Sequence, residues 1–235
     1  MASAAGRPGA VTTREVLAFD LYGTLVDPIA ISGELATILG DAGGREAASL
    51  WRAKQLEYSF RLTAMGRYED FRWVTARALD FTLASLGVSL PAGQAEWLAG
   101  LYDHLRPFPD AIPALQELAG LGHELAVFSN GTPAMIGSCL DHSGLGQFFG
   151  QRISVDEVRA LKPSPVAYRH AAERLSRPAG QIRLVTCNPF DSVGASAAGL
   201  RTAWVNRAGA PFDTIGAPPD ITVAALDRLP GALAG

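Results

Sequence analysis

The sequence predicts an α/β protein, a doubly wound parallel sheet with a helical subdomain inserted after the first strand. Three observations carry this. Short apolar runs alternate with helix-period segments through the second half of the chain, the rhythm of a parallel sheet covered by helices on both faces. Runs such as VLAF and LAVF lack polar alternation, as expected of strands buried on both sides. Residues 28–108, by contrast, hold helical patterns and no convincing strand.

Taken in order, the first candidate strand is 16–20. Residues 45–65 contain neither Gly nor Pro and suit one long helix. Phe71, Val74, Ala78 and Phe81 then recur at helical spacing on one face. Pro107 and Pro109 suit a hinge where the insertion returns. The expected division is therefore a core of residues 14–27 and 109–235 with a helical cap of residues 28–108. Helices are expected at 111–121, 134–142 and 165–176. Strands are expected at 124–130, 182–188 and 202–206, with a weaker one near 152–155. There is no internal repeat or low-complexity segment.

The 235 residues are 48% hydrophobic and 18% charged, an ordinary globular balance with ample length for a core and an insertion. Twenty basic residues stand against 23 acidic ones, and the basic residues form no run. That charge gives no reason to expect nucleic acid. Residues 1–13 have no apolar core of signal-peptide length. No later stretch approaches the ~20 apolar residues that span a bilayer, so a cytoplasmic protein is expected. Cys139 and Cys187 are too few for a disulfide framework, have no metal-ligand spacing, and are expected to be buried thiols.

In an open parallel sheet, ligands bind outside the carboxyl ends of the strands. The residues there are Asp20, then Ser129 and Asn130, then Lys162 in a following loop, then Asn188 and Asp191. Singly, each has an ordinary explanation: an Asp after a strand caps or turns the chain, Ser-Asn-Gly is a turn, Lys-Pro an exposed loop. Together they are a set of polar groups converging from distant parts of the chain, the signature of a site.

The segments FDLYGTLVD (19–27), FSNGTP (128–133), LKPSP (161–165) and TCNPFD (186–191) resemble, in order, the four motifs of the haloacid dehalogenase-like superfamily. The likeness runs from about residue 16 onward. Within the superfamily the chain is most similar to the L-2-haloacid dehalogenases, whose cap carries a segment like LWRAKQLEYSF (50–60) and a stretch like MGRY (65–68). The resemblance implies a Rossmann-like core and a hydrolase that displaces halide from a small 2-halocarboxylate, with no cofactor and no metal. It also implies a homodimer, which no feature of the sequence itself demonstrates.

Most of that superfamily are magnesium-dependent phosphatases, so a phosphatase acting on a small phosphate ester is the alternative. Two positions argue against it. The phosphatases have a second Asp two residues after the nucleophile, as acid for the leaving alcohol. Here Tyr22 stands there, a poor proton donor at neutral pH because its reference pKa is ~10. They also have an acidic magnesium ligand where this chain has Asn188, and magnesium prefers carboxylate and water oxygens. Halide leaves without protonation, and displacement at carbon needs no metal. A third possibility, a non-catalytic binding module, is opposed by the joint presence of Asp20, Lys162 and Asp191.

The resemblance also distributes roles. Asp20 attacks the halogen-bearing carbon and forms an ester, and Lys162 beside it favours the carboxylate form. Thr24 orients that carboxylate. Ser129 and the N–H groups of Leu21 and Tyr22 hold the substrate carboxylate. Arg52, on the cap, stabilises the departing halide with Asn130. Asp191, with Asn188 and Thr186 around it, activates the water that cleaves the ester. The Tyr168 hydroxyl binds Asp191 or Lys162, and Tyr22 and Phe190 form apolar walls. The family often has Ser at the position of Thr186 and Trp at that of Phe190, so substrate size and halide preference are the properties most exposed to change.

Overall fold

A computed structural model describes residues 14–234. The sequence-based expectation about residues 1–13, and the assignment of residue 235 to the core, lie outside the described residues. Among the described residues, six strands form one all-parallel sheet in the order β3-β2-β1-β4-β5-β6. These are β1 (Val16–Phe19), β2 (Glu124–Ser129), β3 (Gln151–Ser154), β4 (Ile182–Thr186), β5 (Arg201–Val205) and β6 (Ile221–Val223). Every residue of β1 and β4 is buried, as the continuous apolar runs require.

The strand order reverses beside β1, with β2 and β3 on one side and β4 to β6 on the other. Right-handed crossovers then place the helices of the two halves on opposite faces, and β1 sits at the switch point where such sheets bind ligands. Around the sheet run α4 (Ala111–Gly120), α5 (Pro133–Ser143), α6 (Pro165–Leu175), α7 (Pro189–Ala197) and α8 (Leu229–Leu233). Thr132 and Ser164 cap α5 and α6 by accepting from the N–H groups of Met135 and Val166, with a proline opening each helix.

Between β1 and α4 lie α1 (Ser32–Ala64), α2 (Phe71–Ser85) and α3 (Gln94–Gly100). α1 is not one rod. At Gly40 (φ 72°, ψ 165°) the chain leaves the helical region, and across that break Gly44 comes so close to the first turns of α1 that a Cβ there would lie 2.6 Å from the Ser32 carbonyl oxygen. Only glycine fits both positions without strain. Beyond this fold the helix runs on through the stretch expected at 45–65. α2 packs against it, with the Trp51 indole donating to the Thr75 carbonyl at 2.8 Å. The buried face of α2 includes Phe71, Val74 and Ala78. Phe81, expected on that face, is instead exposed and takes the Lys54 ammonium over its ring at 4.0 Å.

The segments that leave and re-enter the sheet region pair with each other. Asp27 N–H donates to the Arg106 carbonyl at 3.1 Å and Phe108 N–H to the Leu25 carbonyl at 2.9 Å, bracketing an antiparallel bridge between Val26 and Pro107. The expected strands at 124–130 and 182–188 stop early, at Ser129 and Thr186. Asn130 and Asn188 belong to the turns beyond, where their side chains are free to serve the site. Cys139 is buried as expected, whereas Cys187 is only half-buried. No helix among the described residues is long and apolar enough to cross a membrane.

Candidate active site

Asp20 directly follows β1, with its N–H bonded to the Val185 carbonyl of β4 at 3.0 Å. The chain then turns tightly. The N–H groups of Thr24, Leu25 and Val26 all bond the Leu21 carbonyl, and Gly23, at φ 92°, bonds Val26. Arg52 and Asn188 end 3.5 and 3.6 Å from the position a Cβ at Gly23 would take, ordinary contact, so the positive φ rather than crowding calls for glycine there. Among the described residues the N–H groups of Leu21 and Tyr22 donate to no protein acceptor, which makes them candidate anion donors.

The Asp20 carboxylate is held on both oxygens. Oδ1 accepts from Lys162 Nζ at 3.0 Å, and Oδ2 accepts from Thr24 Oγ1 at 2.9 Å and Asn188 Nδ2 at 2.7 Å. Lys162 is itself buried and also donates to Asp191 Oδ2 at 2.8 Å and to the Phe128 carbonyl at 3.1 Å. All three ammonium protons are thus committed. Burial alone would push the Lys162 pKa down, but Asp191 and Asp20 outweigh it and hold it above the ordinary lysine value. Burial raises the Asp191 carboxyl above the usual aspartate range, against the pull of Lys162. Tyr168 donates to Asp191 Oδ1 at 2.8 Å, so the alternative partner, Lys162, is not the one it takes. Burial, followed by Asp191, lifts the Tyr168 hydroxyl well above the ordinary tyrosine value.

A narrow cleft lies in front of Asp20 and Lys162. Of the other residues expected in the site, Tyr22, Arg52, Ser129, Asn130, Asn188 and Phe190 line it. Thr24, Thr186, Asp191, Tyr168 and Leu21 do not; they stand behind the lining. Thr186 Oγ1 accepts the Asn188 N–H at 3.1 Å rather than bonding Asp191. Asn130 Oδ1 accepts the Lys162 N–H at 2.9 Å, leaving its amide N–H₂ as a donor for the cleft. Ser129 Oγ accepts from the Gly131 N–H at 3.1 Å, so its proton remains to donate.

From the helical insertion, Arg52 Nη2 reaches the Tyr22 carbonyl at 2.8 Å and Nη1 bonds Gln55 Oε1 at 2.7 Å. Gln55 is fully buried and donates to Thr75 Oγ1 at 2.6 Å. Leu56 and Phe71 complete the cleft wall, and Phe60 packs edge-on against Phe190 with centroids 4.8 Å apart. Sequence reasoning did not assign these residues to the site. A signal existed: Gln55 and Leu56 lie three and four positions beyond Arg52, on the same helix face. The MGRY stretch has a physical role too. Tyr68 donates to Asp156 and stacks under Arg159 at 4.9 Å, tying the insertion to the loop that leads to Lys162.

The donor set does not suit magnesium. Asp20 and Asp191 are the converging carboxylates, and the Lys162 ammonium already bridges them. Asn188 presents an amide donor to Asp20, not an oxygen ligand. Tyr22, where a phosphatase needs an acid, is buried among Phe71 and Tyr102. Burial raises its hydroxyl well above the ordinary tyrosine value.

The family model for haloacid dehalogenase-like hydrolases matches residues 15–185. The chain belongs to the haloacid dehalogenase-like hydrolases. Within that family it is 39% identical to an (S)-2-haloacid dehalogenase of Pseudomonas sp. (strain YL), over 89% of this chain and 90% of that one. It is 38% identical to a haloacetate dehalogenase of Moraxella sp. (strain B), over 92% of this chain and 96% of that one. An L-2-haloacid dehalogenase of Xanthobacter autotrophicus, solved with chloropropionic acid covalently bound, superposes with a TM-score of 0.88. That pair is 33% identical, with 95% of this chain and 99% of the other covered.

Proposed function

We propose that this family member hydrolyses small 2-haloalkanoic acids to 2-hydroxy acids with inversion, through an ester on Asp20 and without a metal ion. One observation carries the reading. A buried carboxylate at the switch point of the sheet is oriented by a lysine, a threonine and an asparagine amide. It faces a cleft whose apolar lining is Tyr22, Leu56, Phe71 and Phe190 and whose lining holds no carboxyl group besides Asp20 itself. That is equipment for nucleophilic displacement at carbon, not for phosphoryl transfer.

The substrate carboxylate is held by Ser129 and the Tyr22 N–H at the cleft, with the undonated backbone N–H of Leu21 next to it, although the Leu21 side chain is absent from the lining. Asp20 attacks the substrate carbon from the side opposite the halogen. The new C–O bond forms as the carbon–halogen bond breaks, and halide leaves with the bonding pair toward Arg52 and Asn130. Water then attacks the carbonyl carbon of the Asp20 ester and passes one proton to Asp191; as the C–O bond to the hydroxy acid breaks, its oxygen takes the other water proton, the Asp20 carboxylate is restored, and Asp191 returns its proton to solvent. Asp191 is suited to this because the Lys162 ammonium it shares with Asp20 supports its carboxylate form, while burial raises its pKa and so its strength as a base. Tyr168 and Thr186 act from behind, on Asp191 and on the Asn188 turn.

The residues from 28 to 108 serve as a cap that closes the cleft with Arg52, Leu56 and Phe71. A cytoplasmic location and a homodimer belong to the same proposal, as does the absence of nucleic-acid and membrane partners. Two thiols without a disulfide suit a reducing compartment; cell fractionation and light scattering test location and pairing. The function is tested by halide release from L-2-chloropropionate and chloroacetate, with and without EDTA, beside a generic phosphatase assay. Halide release indifferent to EDTA is expected, and the L acid should give the D-2-hydroxy acid. Loss of activity in EDTA, restored by magnesium, would return the protein to the phosphatases.

A further inference from the structure

Arg207 lies in the loop after β5, and Asp110 immediately precedes α4. Neither lines the cleft. Arg207 grips the Asp110 carboxylate with two nitrogens, Nε to Oδ2 and Nη2 to Oδ1, both at 2.8 Å. Asp110 Oδ2 also accepts the Leu226 N–H at 2.8 Å. Burial would raise the Asp110 carboxyl, yet Arg207 and the Leu226 N–H together hold it below the ordinary aspartate range. The guanidinium carbon sits 4.1 Å over the Phe108 ring, on the segment that returns from the cap. The two side chains are 19% and 14% exposed, and their geometry is the planar two-point kind that fixes direction.

The third partner gives the pair a function. Arg207 Nη2 donates at 2.9 Å to the carbonyl oxygen of Thr24. Thr24 is the residue whose Oγ1 donates to Asp20 Oδ2 and accepts the Cys187 N–H at 2.8 Å. Its own N–H makes a long bond, 3.2 Å, to the Leu21 carbonyl. We propose that Arg207 and Asp110 are positioning residues for the nucleophile, acting through Thr24 to aim the Asp20 carboxylate. Asp110 fixes the guanidinium, the guanidinium fixes the Thr24 carbonyl, and the threonine hydroxyl fixes Asp20. The Phe108 contact brings the cap's return segment into the same chain of contacts.

The proposal rests on the dehalogenase function above, so wild-type halide release is measured first and answers that question alone. The coupling is then read from a double-mutant cycle of Arg207→Met and Thr24→Val, followed by halide release from L-2-chloropropionate. Arg207→Met should lower kcat on the order of tenfold, as small misplacements of a reacting group do, with KM within about twofold. Thr24→Val should cost on the order of 10²-fold, the range for removing one orienting donor. In the Thr24→Val background, Arg207→Met should then cost less than about twofold, because residues acting along one chain of contacts are not additive. Arg207→Lys keeps the charge without the fork and should recover part of the rate. Equal losses in both backgrounds, a change confined to KM, or failure of both Arg207 variants to fold would overturn the proposal. A crystal structure of Arg207→Met reads the same contact without substrate: Thr24 Oγ1 should leave Asp20, and an unmoved hydroxyl would overturn the proposal whatever the enzyme's activity.

Discussion

At the scale of single side chains, Lys162 directs its three protons to Asp20, Asp191 and the Phe128 carbonyl, so the two aspartates are distinguished by their remaining partners. Asp20 keeps Thr24 and Asn188 and faces the cleft, while Asp191 keeps Tyr168 and is absent from the lining. If Asp191 serves only the hydrolytic half of the reaction, Asp191→Asn leaves displacement in place. The expected outcome is a burst of about one halide per active site, then very slow turnover, with a persistent adduct that peptide mapping places on the segment containing Asp20. Absence of burst and adduct would put Asp191 in the first step, and unimpaired steady turnover would remove it from the reaction. Arg52 presents a flat fork to the Tyr22 carbonyl and Gln55. Arg52→Lys keeps the charge but not the fork, and halide release should slow on the order of 10²-fold or more. A near-normal rate would make Arg52 a packing residue.

Between elements, the contact of α1 with α2 sets the height and angle of Arg52. Gln55 bridges the two, receiving Arg52 and donating to Thr75, and Thr75 Oγ1 in turn bonds the Phe71 carbonyl at 2.6 Å. Thr75→Val leaves the buried Gln55 amide without its acceptor, which should cost about 1–3 kcal/mol in urea unfolding. The same change should lower the rate by loosening Arg52; unchanged stability and rate would mean the network only fills space. The sequence exposed some of this architecture and concealed the rest for identifiable reasons. Buried parallel strands announce themselves as VLAF and LAVF, and the polar residues at their ends stand out against them. β6 has three residues, too few for any period, and α3 begins just after Pro91 and Gly93. The first turns of α1 are masked by Gly33, Gly40, Gly43 and Gly44, which read as a helix break, and at Gly40 the helix does break. Within the site, Gln55, Leu56 and Phe71 sit in ordinary helix patterns whose direction only packing decides. Asp191 and Thr186 belong to a motif, yet their placement behind the lining depends on how α7 follows β4.

For the molecule as a whole, the buried polar groups predict how stability responds to alkali. Burial holds the hydroxyls of Tyr22 and Tyr168 well above the ordinary value and that of Tyr102 at about 12. Unfolded, these tyrosines lose protons near pH ~10; folded, they keep them. The unfolded chain then binds fewer protons, so stability falls as pH rises. Lys162 acts in the same direction, because its raised folded pKa gives stability that is intact below the ordinary lysine value and lost as pH climbs through the higher one. Urea midpoints should therefore drop from pH about 10 upward, with part of the tyrosinate absorbance appearing only as the protein unfolds. Full tyrosinate absorbance from a still-folded protein would contradict this.

The paired segments at Asp27–Arg106 and Leu25–Phe108 carry a different consequence. Because the chain leaves and returns through adjacent hydrogen-bonded backbones, everything between them hangs from a closed stem. The ring-closure cost of such a stem rises only with the logarithm of the excursion's length. The chain-entropy cost to the sheet therefore changes little with the excursion's length, and what holds this excursion in place is its packing, through Arg52 on Tyr22, Phe60 on Phe190 and Tyr68 on Asp156. Because the excursion also supplies Arg52, Leu56 and Phe71 to the cleft, a change in it reaches the chemistry at Asp20 before it reaches the strand register, which the stem closes off.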